Sequence, residues 1–353
     1  MRCLTLADAL RERGATCTFV CRPHPGHLLA LIAQRGHQVL ALPKLQDGAQ
    51  PNHIGNAYGQ WLGTDCAADA LDTQQALSAH AGGQPVDWLV VDHYALDARW
   101  EETMRPQARR IMVIDDLADR PHVCDLLLDQ TFGRQAADYM PFIADDCTLL
   151  CGSRYALLRP EFAALRQYSL RRRTQPALKE LLITMGGVDK DNVTGEVMRG
   201  LRNCSLPKDC RLTVVMGQTA PWMKDVQDLS RQMPWPTQVF VDVANMAQLM
   251  ADSDLAIGAA GATSWERCCL GLPSIIIVVA ENQLKVAKGL EEAAAALLCL
   301  AGQALPKQLA VQMGRLCSDI EQVALLSKAA AKVADGTGTG AVLAQMENGL
   351  EHA

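Results

Sequence analysis

A chain of 353 residues is long enough for two domains rather than one, and a hydrophobic share of 49% supplies ordinary globular cores. The net charge of −6 argues against a nucleic-acid partner, which asks for a basic face, and no apolar run reaches the roughly 18 residues of a membrane span. The 13 cysteines form no paired Cys-x-x-Cys framework, so they read as buried free thiols of a reducing cytoplasm, not as metal ligands or disulfides.

In chain order, Leu4 to Arg13 reads as a helix closed by Gly14, and Thr16 to Cys21 as a buried strand. A helix over Leu28 to Arg35 and a strand over Gln38 to Leu42 follow, then a long polar-to-helical stretch to about His80. Asp87 to Asp92, Arg110 to Asp115 and Cys124 to Asp129 are the next strands. The charged segment Arg166 to Lys179, with Arg171, Arg172, Arg173 and Pro176, reads as a solvated linker. A second α/β unit has strands at Glu180–Thr184, Arg211–Met216, Gln238–Val243, Leu255–Gly258 and Ser274–Val279, with final helices to about Ala344. The expected organisation is an α/β protein of parallel sheets: residues 1–165, a linker at 166–179, and residues 180–353. A nucleotide-binding α/β domain normally opens on a strand, whereas this chain opens on a helix.

Asp254 to Pro273 reads as strand, glycine turn, short helix, glycine stop. Glycines let a ligand approach the backbone, and the helix start offers N–H groups and a positive dipole end to an anion. Glu266 sits early in that helix, where a carboxylate is stabilised and can reach a ribose hydroxyl. A second strand exit carries Gly186 and Gly187, with Asp191 or Asn192 able to cap the next helix. Two such turns at one sheet edge are where open α/β folds bind ligands; a plain tight turn is the alternative for either alone. Gln238 to Met246 leaves a strand for a helix and can offer backbone groups to a base edge. Glu281, Asn282 and Gln283 follow another strand, and capping explains only one of the three. In the first half, Asp92-His93-Tyr94 ends a strand; His93 can act as a general base and Tyr94 as a donor, or the histidine is a satisfied edge residue. Asp115-Asp116 can be an acid–base pair or a cap, and the histidines of His24-Pro-Gly-His27 make no zinc pattern.

Val91-Asp-His-Tyr94, Ile114-Asp-Asp116, Cys151 to Phe162, Met185-Gly-Gly-Val-Asp189, Gly261 to Pro273 and Glu281-Asn-Gln283 occur together, in order, along nearly the whole chain. In these motifs the chain resembles the hydrolases of pseudaminic acid biosynthesis that release UDP from UDP-2,4-diacetamido-2,4,6-trideoxy-β-L-altropyranose. That family is similar to the GT-B glycosyltransferases of peptidoglycan lipid synthesis. The resemblance implies two Rossmann-like domains around a cleft, with UDP held by the C-terminal one. Carried over by position, Gly186, Gly187 and Gly261 lie against the diphosphate with donors from Thr263 and Ser264. Glu266 takes the ribose, and the backbone near Met246 faces uracil. Asn282 and Gln283 contact the hexose or the catalytic water, and Tyr94 faces the sugar. The implied reaction is inverting attack of water at the anomeric carbon, with a UDP-sugar as sole partner, no cofactor, no metal, no membrane and a monomeric cytoplasmic protein.

One departure accompanies the resemblance. Family members open with a strand and a Gly-x-Gly-His turn before Arg-Cys-Leu-x-Leu-Ala, whereas this sequence opens at Met1-Arg-Cys-Leu-Thr-Leu-Ala7. The implied N-terminal domain therefore lacks its first strand and its general-base histidine, leaving His93 as the nearest chemical substitute. Two other readings compete: a GT-B glycosyltransferase using a UDP-amino sugar, and a UDP-sugar binder without turnover.

Overall fold

A computed structural model describes residues 1–44 and 58–351. Part of the polar-to-helical stretch expected before His80 lies outside the described residues; the rest includes a helix at Cys66–His80, capped by Asp65, whose carboxylate accepts the Ala68 N–H at 2.8 Å. The chain divides into two compact units, residues 1–157 with 338–353, and residues 158–337.

Unit 1 carries β1 (Thr18–Cys21), β2 (Gln38–Ala41), β3 (Val86–Val91), β4 (Ala108–Ile114), β5 (Leu126–Asp129) and β6 (Thr148–Cys151). All ladders are parallel: β1 pairs with β2, and a separate sheet runs β3-β4-β5-β6. Met112, Ile114, Leu126 and Leu128 bury one sheet face against Leu6 of the helix Arg2–Glu12 and against Val342, Leu343 and Met346. These last three belong to the helix Gly338–Glu351, so the end of the chain returns to unit 1 instead of closing a second domain at 353. Gly338 is required there, because a Cβ would lie 2.5 Å from Ala156 O.

Unit 2 carries β7 (Glu180–Thr184), β8 (Arg211–Met216), β9 (Thr237–Val241), β10 (Leu255–Ala259), β11 (Ser274–Val278) and β12 (Leu297–Leu300) in one parallel sheet ordered β12-β11-β10-β7-β8-β9. Leu181–Ile183, Leu255–Ile257 and Ile275–Ile277 are buried on both faces, as continuous apolar runs in a helix-covered parallel sheet must be. The chain builds outward from β7 through β8 to β9, then crosses back to lay β10 on the other side of β7. The topological switch point therefore falls between β7 and β10, where Gly258 pairs with Thr184.

The first half of the expected linker, to Arg172, is the end of a helix instead, and residues 173–179 follow it as turn and irregular chain. Pro160–Arg172 opens on proline at its first position, which suits a helix start. Its basic side chains bind backbone carbonyls at other helix ends, the orphan acceptors that a helix C-terminus leaves. Arg173 donates to Leu270 O at 3.1 Å, Ser253 O at 2.7 Å and Met250 O at 3.0 Å. Arg166 donates to Ala331 O at 2.7 Å and Ala334 O at 3.1 Å. A charge run read as solvated is thus an internal staple of unit 2.

Candidate functional site

The C-terminal ends of β7, β8 and β10 each run into glycine. Gly186 has φ +91°, a left-handed backbone that other residues rarely adopt, with nothing within 4 Å of where a Cβ would lie. Gly217, after β8, is required by crowding: a Cβ would lie 2.1 Å from Gly187 O. Gly258 is crowded too, with Arg267 Nη1 at 2.3 Å and Thr184 O at 2.7 Å of its Cβ position. Gly261 is extended and has open space at its Cβ position, so neither backbone nor packing inside unit 2 demands glycine there.

The two helices that leave the switch point differ at their first turns. At Val193–Leu201, Asp189 accepts the N–H groups of Val193 and Thr194, both at 2.9 Å, and Asn192 accepts that of Gly195 at 3.1 Å. Asn192 caps, as expected, but the N-terminus is filled by its own carboxylate. At Ala262–Cys269 the N-cap residue Gly261 offers no side chain, and no side chain among the described residues accepts the N–H groups of Ala262 and Thr263. This second N-terminus, after Gly261, is the one left open to an outside anion.

Around it, Thr263 is half-buried. Ser264 is buried, and its Oγ accepts from Gly261 N–H at 3.3 Å and from Arg267 Nη2 at 3.0 Å, so this hydroxyl shapes the turn from within. Glu266 faces Arg159, with Oε1 3.6 Å from Nη2. Burial raises the Glu266 pKa above the usual carboxylate range, and the nearby Arg159 and Arg267 only partly offset it. Met246 is half-buried at the first position of the helix Met246–Asp252, which has no side-chain cap. Gln283 turns back to the sheet, its Oε1 accepting from Val279 N–H at 3.2 Å. Asn282 lies in the single 3-10 turn Glu281–Gln283, and its side chain is outside the described set.

The unit 1 candidates lie at the ends of β3 and β4. His93 Nδ1 accepts the Ala95 N–H at 3.1 Å, the ring also bonds the Trp61 backbone, and burial lowers its pKa. The satisfied edge histidine is therefore the better description, since the lone pair a base needs is already engaged. Tyr94 hydrogen-bonds Asp116; burial and that carboxylate raise its pKa, so the phenol stays protonated. Its ring lies 5.2 Å from Tyr58 and 5.8 Å from Trp61. Asp115 and Asp116 are pushed apart. Burial would raise Asp115, but Arg120 at 2.9 Å and the N–H groups of Leu117 and Ala118 outweigh it and lower its pKa. Burial raises Asp116, with the Asp115 charge adding, against Arg2 and Tyr94. Arg2 bridges Asp92 at 2.7 Å and Asp116 at 3.1 Å.

Reading the sequence missed Arg159, Gly217, Arg267 and the aromatic neighbours of Tyr94. Only Gly217 carried a usable signal, as a third glycine directly after a strand.

Residues 183–338 match the glycosyltransferase family 28 C-terminal domain. The UDP-2,4-diacetamido-2,4,6-trideoxy-β-L-altropyranose hydrolase of Campylobacter jejuni is 27% identical over 196 residues, 55% of this chain and 67% of that protein. The spore coat polysaccharide biosynthesis protein SpsG of Bacillus subtilis is 28% identical over 199 residues, 56% of this chain and 57% of that protein. The matches span 41% to 67% of the length of these and a third curated relative. The crystal structure of Acinetobacter baumannii MurG superposes with TM-score 0.70 at 16% identity, over 98% of this chain and 95% of that one. The resemblance drawn from the motifs is borne out, and the fold is two Rossmann-like domains of GT-B type.

Proposed function

From a chain whose residues 183–338 carry the glycosyltransferase family 28 C-terminal domain, we propose that unit 2 binds the UDP of a UDP-sugar and that the protein hydrolyses UDP-2,4-diacetamido-2,4,6-trideoxy-β-L-altropyranose. The observation that carries the reading is the uncapped start of Ala262–Cys269 at the switch point, with open space above Gly261 and Glu266 one turn on. The diphosphate takes the N–H groups of that first turn, with Gly186, Gly187 and Thr263 beside it; Ser264 holds the turn from below. Glu266 accepts from the ribose hydroxyls, and the backbone at Met246 meets uracil. In the reaction the water oxygen bonds to the anomeric carbon, the bond to the β-phosphate oxygen breaks with inversion, UDP leaves with the electron pair, and the proton of the attacking water passes to solvent. N–H donors that stabilise the departing charge supply the main electrostatic assistance. Tyr94, its hydroxyl held by Asp116, faces the sugar, and Asn282 and Gln283 position the sugar or the water; His93 supports the Tyr94 loop.

Incubation with the altrose nucleotide tests the reading. UDP and free sugar should appear in equal amounts, with the opposite anomer formed first by NMR. UDP binding without turnover would leave only a binder, and no UDP binding would remove the site. Sugar transfer is the second reading, favoured by the glycosyltransferase family of unit 2; formation of a glycoside when alcohol acceptors are added, in preference to hydrolysis, would select it.

A further inference from the structure

Arg267 is among the most completely buried side chains of unit 2, at 1% exposure. A buried guanidinium is strongly disfavoured unless it is paired or fully hydrogen-bonded. Other buried arginines meet that demand: Arg134 pairs with Asp129, and Arg173 spreads over three carbonyls. Arg267 does not. Its Nη2 donates to Ala259 O at 2.9 Å and Ser264 Oγ at 3.0 Å, while Nε and Nη1 have no partner among the described residues. None of the carboxylates among the described residues lies within ion-pair distance of it. Burial lowers its pKa, and Cys268 and Glu266 do not offset it.

Its position explains the arrangement. Nη1 lies 2.3 Å from where a Cβ on Gly258 would be, and Thr184 O lies 2.7 Å from that same point, so the guanidinium packs against β10 at the residue that pairs with β7 across the switch point. Nη2 grips the turn from Ala259 to Ser264, the turn that leads into the uncapped helix start. A positive charge under that turn with no carboxylate in ion-pair distance among the described residues is suited to a ligand that brings its own.

Resting on the reading of unit 2 as the UDP site, we propose that Arg267 is a positioning residue for the diphosphate. It holds the Gly258–Ser264 turn in shape and supplies from below the positive charge that the ligand's phosphates offset. Charge interactions across so little water-free protein are only weakly screened.

Calorimetric titration with UDP and with uridine separates this role from simple packing. Arg267→Met is expected to lower UDP affinity roughly tenfold to a hundredfold, the range for losing interactions with a charged group, and to leave uridine affinity unchanged. Arg267→Lys retains a cation that titrates, since burial lowers a lysine pKa far more readily than it discharges arginine. Its UDP affinity should therefore fall as the pH is raised through the alkaline range, while the wild type stays flat. Equal losses for UDP and uridine in Arg267→Met, or no loss, would overturn the proposal. Should that variant not fold, a pH-independent UDP affinity in Arg267→Lys overturns it. A wild-type protein that binds neither ligand would instead sink the nucleotide-site reading itself.

Discussion

Arg159 Nη2 lies 3.6 Å from Glu266 Oε1, and the same guanidinium lies 3.0 Å from Glu161. The shared cation leaves Glu266 incompletely paired, and burial holds its pKa high. Glu266→Ala is expected to weaken UDP binding by roughly 1–3 kcal/mol. Uridine, which has no titrating phosphate, gives the cleaner pH profile: its affinity should fall on acidification sooner than for a solvent-exposed glutamate, because the protonated carboxyl loses acceptor strength. For folding the sign is opposite. A raised folded-state pKa favours the fold at acid pH, and that contribution is lost as pH rises through it. An unchanged UDP affinity in the alanine variant would remove Glu266 from the site.

Tyr94→Phe removes one hydroxyl from the end of β3. We expect turnover to fall by roughly tenfold to a hundredfold, as for a hydrogen bond to developing charge, with UDP affinity unchanged. Steady-state rates beside calorimetry read both; a parallel loss of UDP binding would contradict the assignment of Tyr94 to the sugar.

Asp189→Ala frees the N–H groups of Val193 and Thr194. Loss of such a cap should lower stability by about 0.5–2 kcal/mol, seen as a lower urea midpoint with an unchanged slope. UDP affinity should not change. A marked gain would mean that Asp189 occupies a phosphate seat, contrary to the placement of the anion at Ala262–Cys269.

Gly217→Ala and Gly261→Ala form a matched pair. The first drives a Cβ into Gly187 O and should cost about 1–3 kcal/mol of stability together with UDP affinity. The second meets nothing inside unit 2, so thermal stability should hold while UDP affinity falls. Full affinity in Gly261→Ala would mean that no ligand approaches that backbone.

Arg173→Ala tests the staple. A solvated linker residue would change stability by less than about 0.5 kcal/mol. Losing its three hydrogen bonds should instead cost about 1–3 kcal/mol, measured by chemical denaturation, with the loss falling most on Met250 O because Ser169 Oγ still donates to Leu270 O and Arg172 to Ser253 O.

Much of unit 2 was legible because parallel strands buried on both faces spell apolar runs, and glycine after a strand signals a turn. β12, Leu297–Leu300, was not: alanines precede it, so its four residues read equally well as helix. Arg166 to Lys179 misled for a related reason. A basic run has the same composition whether it faces water or a helix end, and only packing put the Arg173 guanidinium against three carbonyls. Likewise His93 reads as a base in one dimension, while its fold neighbours Ala95 and Trp61 occupy its ring.

By itself the sequence determined the alternation of helix and strand, the glycine turns and the motifs shared with UDP-sugar enzymes, because local periodicity and backbone preference are properties of short segments. Tertiary structure alone decided which of two similar helix starts is open, that Gly338–Glu351 returns to unit 1, and that Arg267 lies uncompensated beneath the Gly258–Gly261 turn. Those facts depend on groups distant in the chain meeting across a sheet, where a carboxylate that arrives fills a site and one that does not leaves it for a ligand.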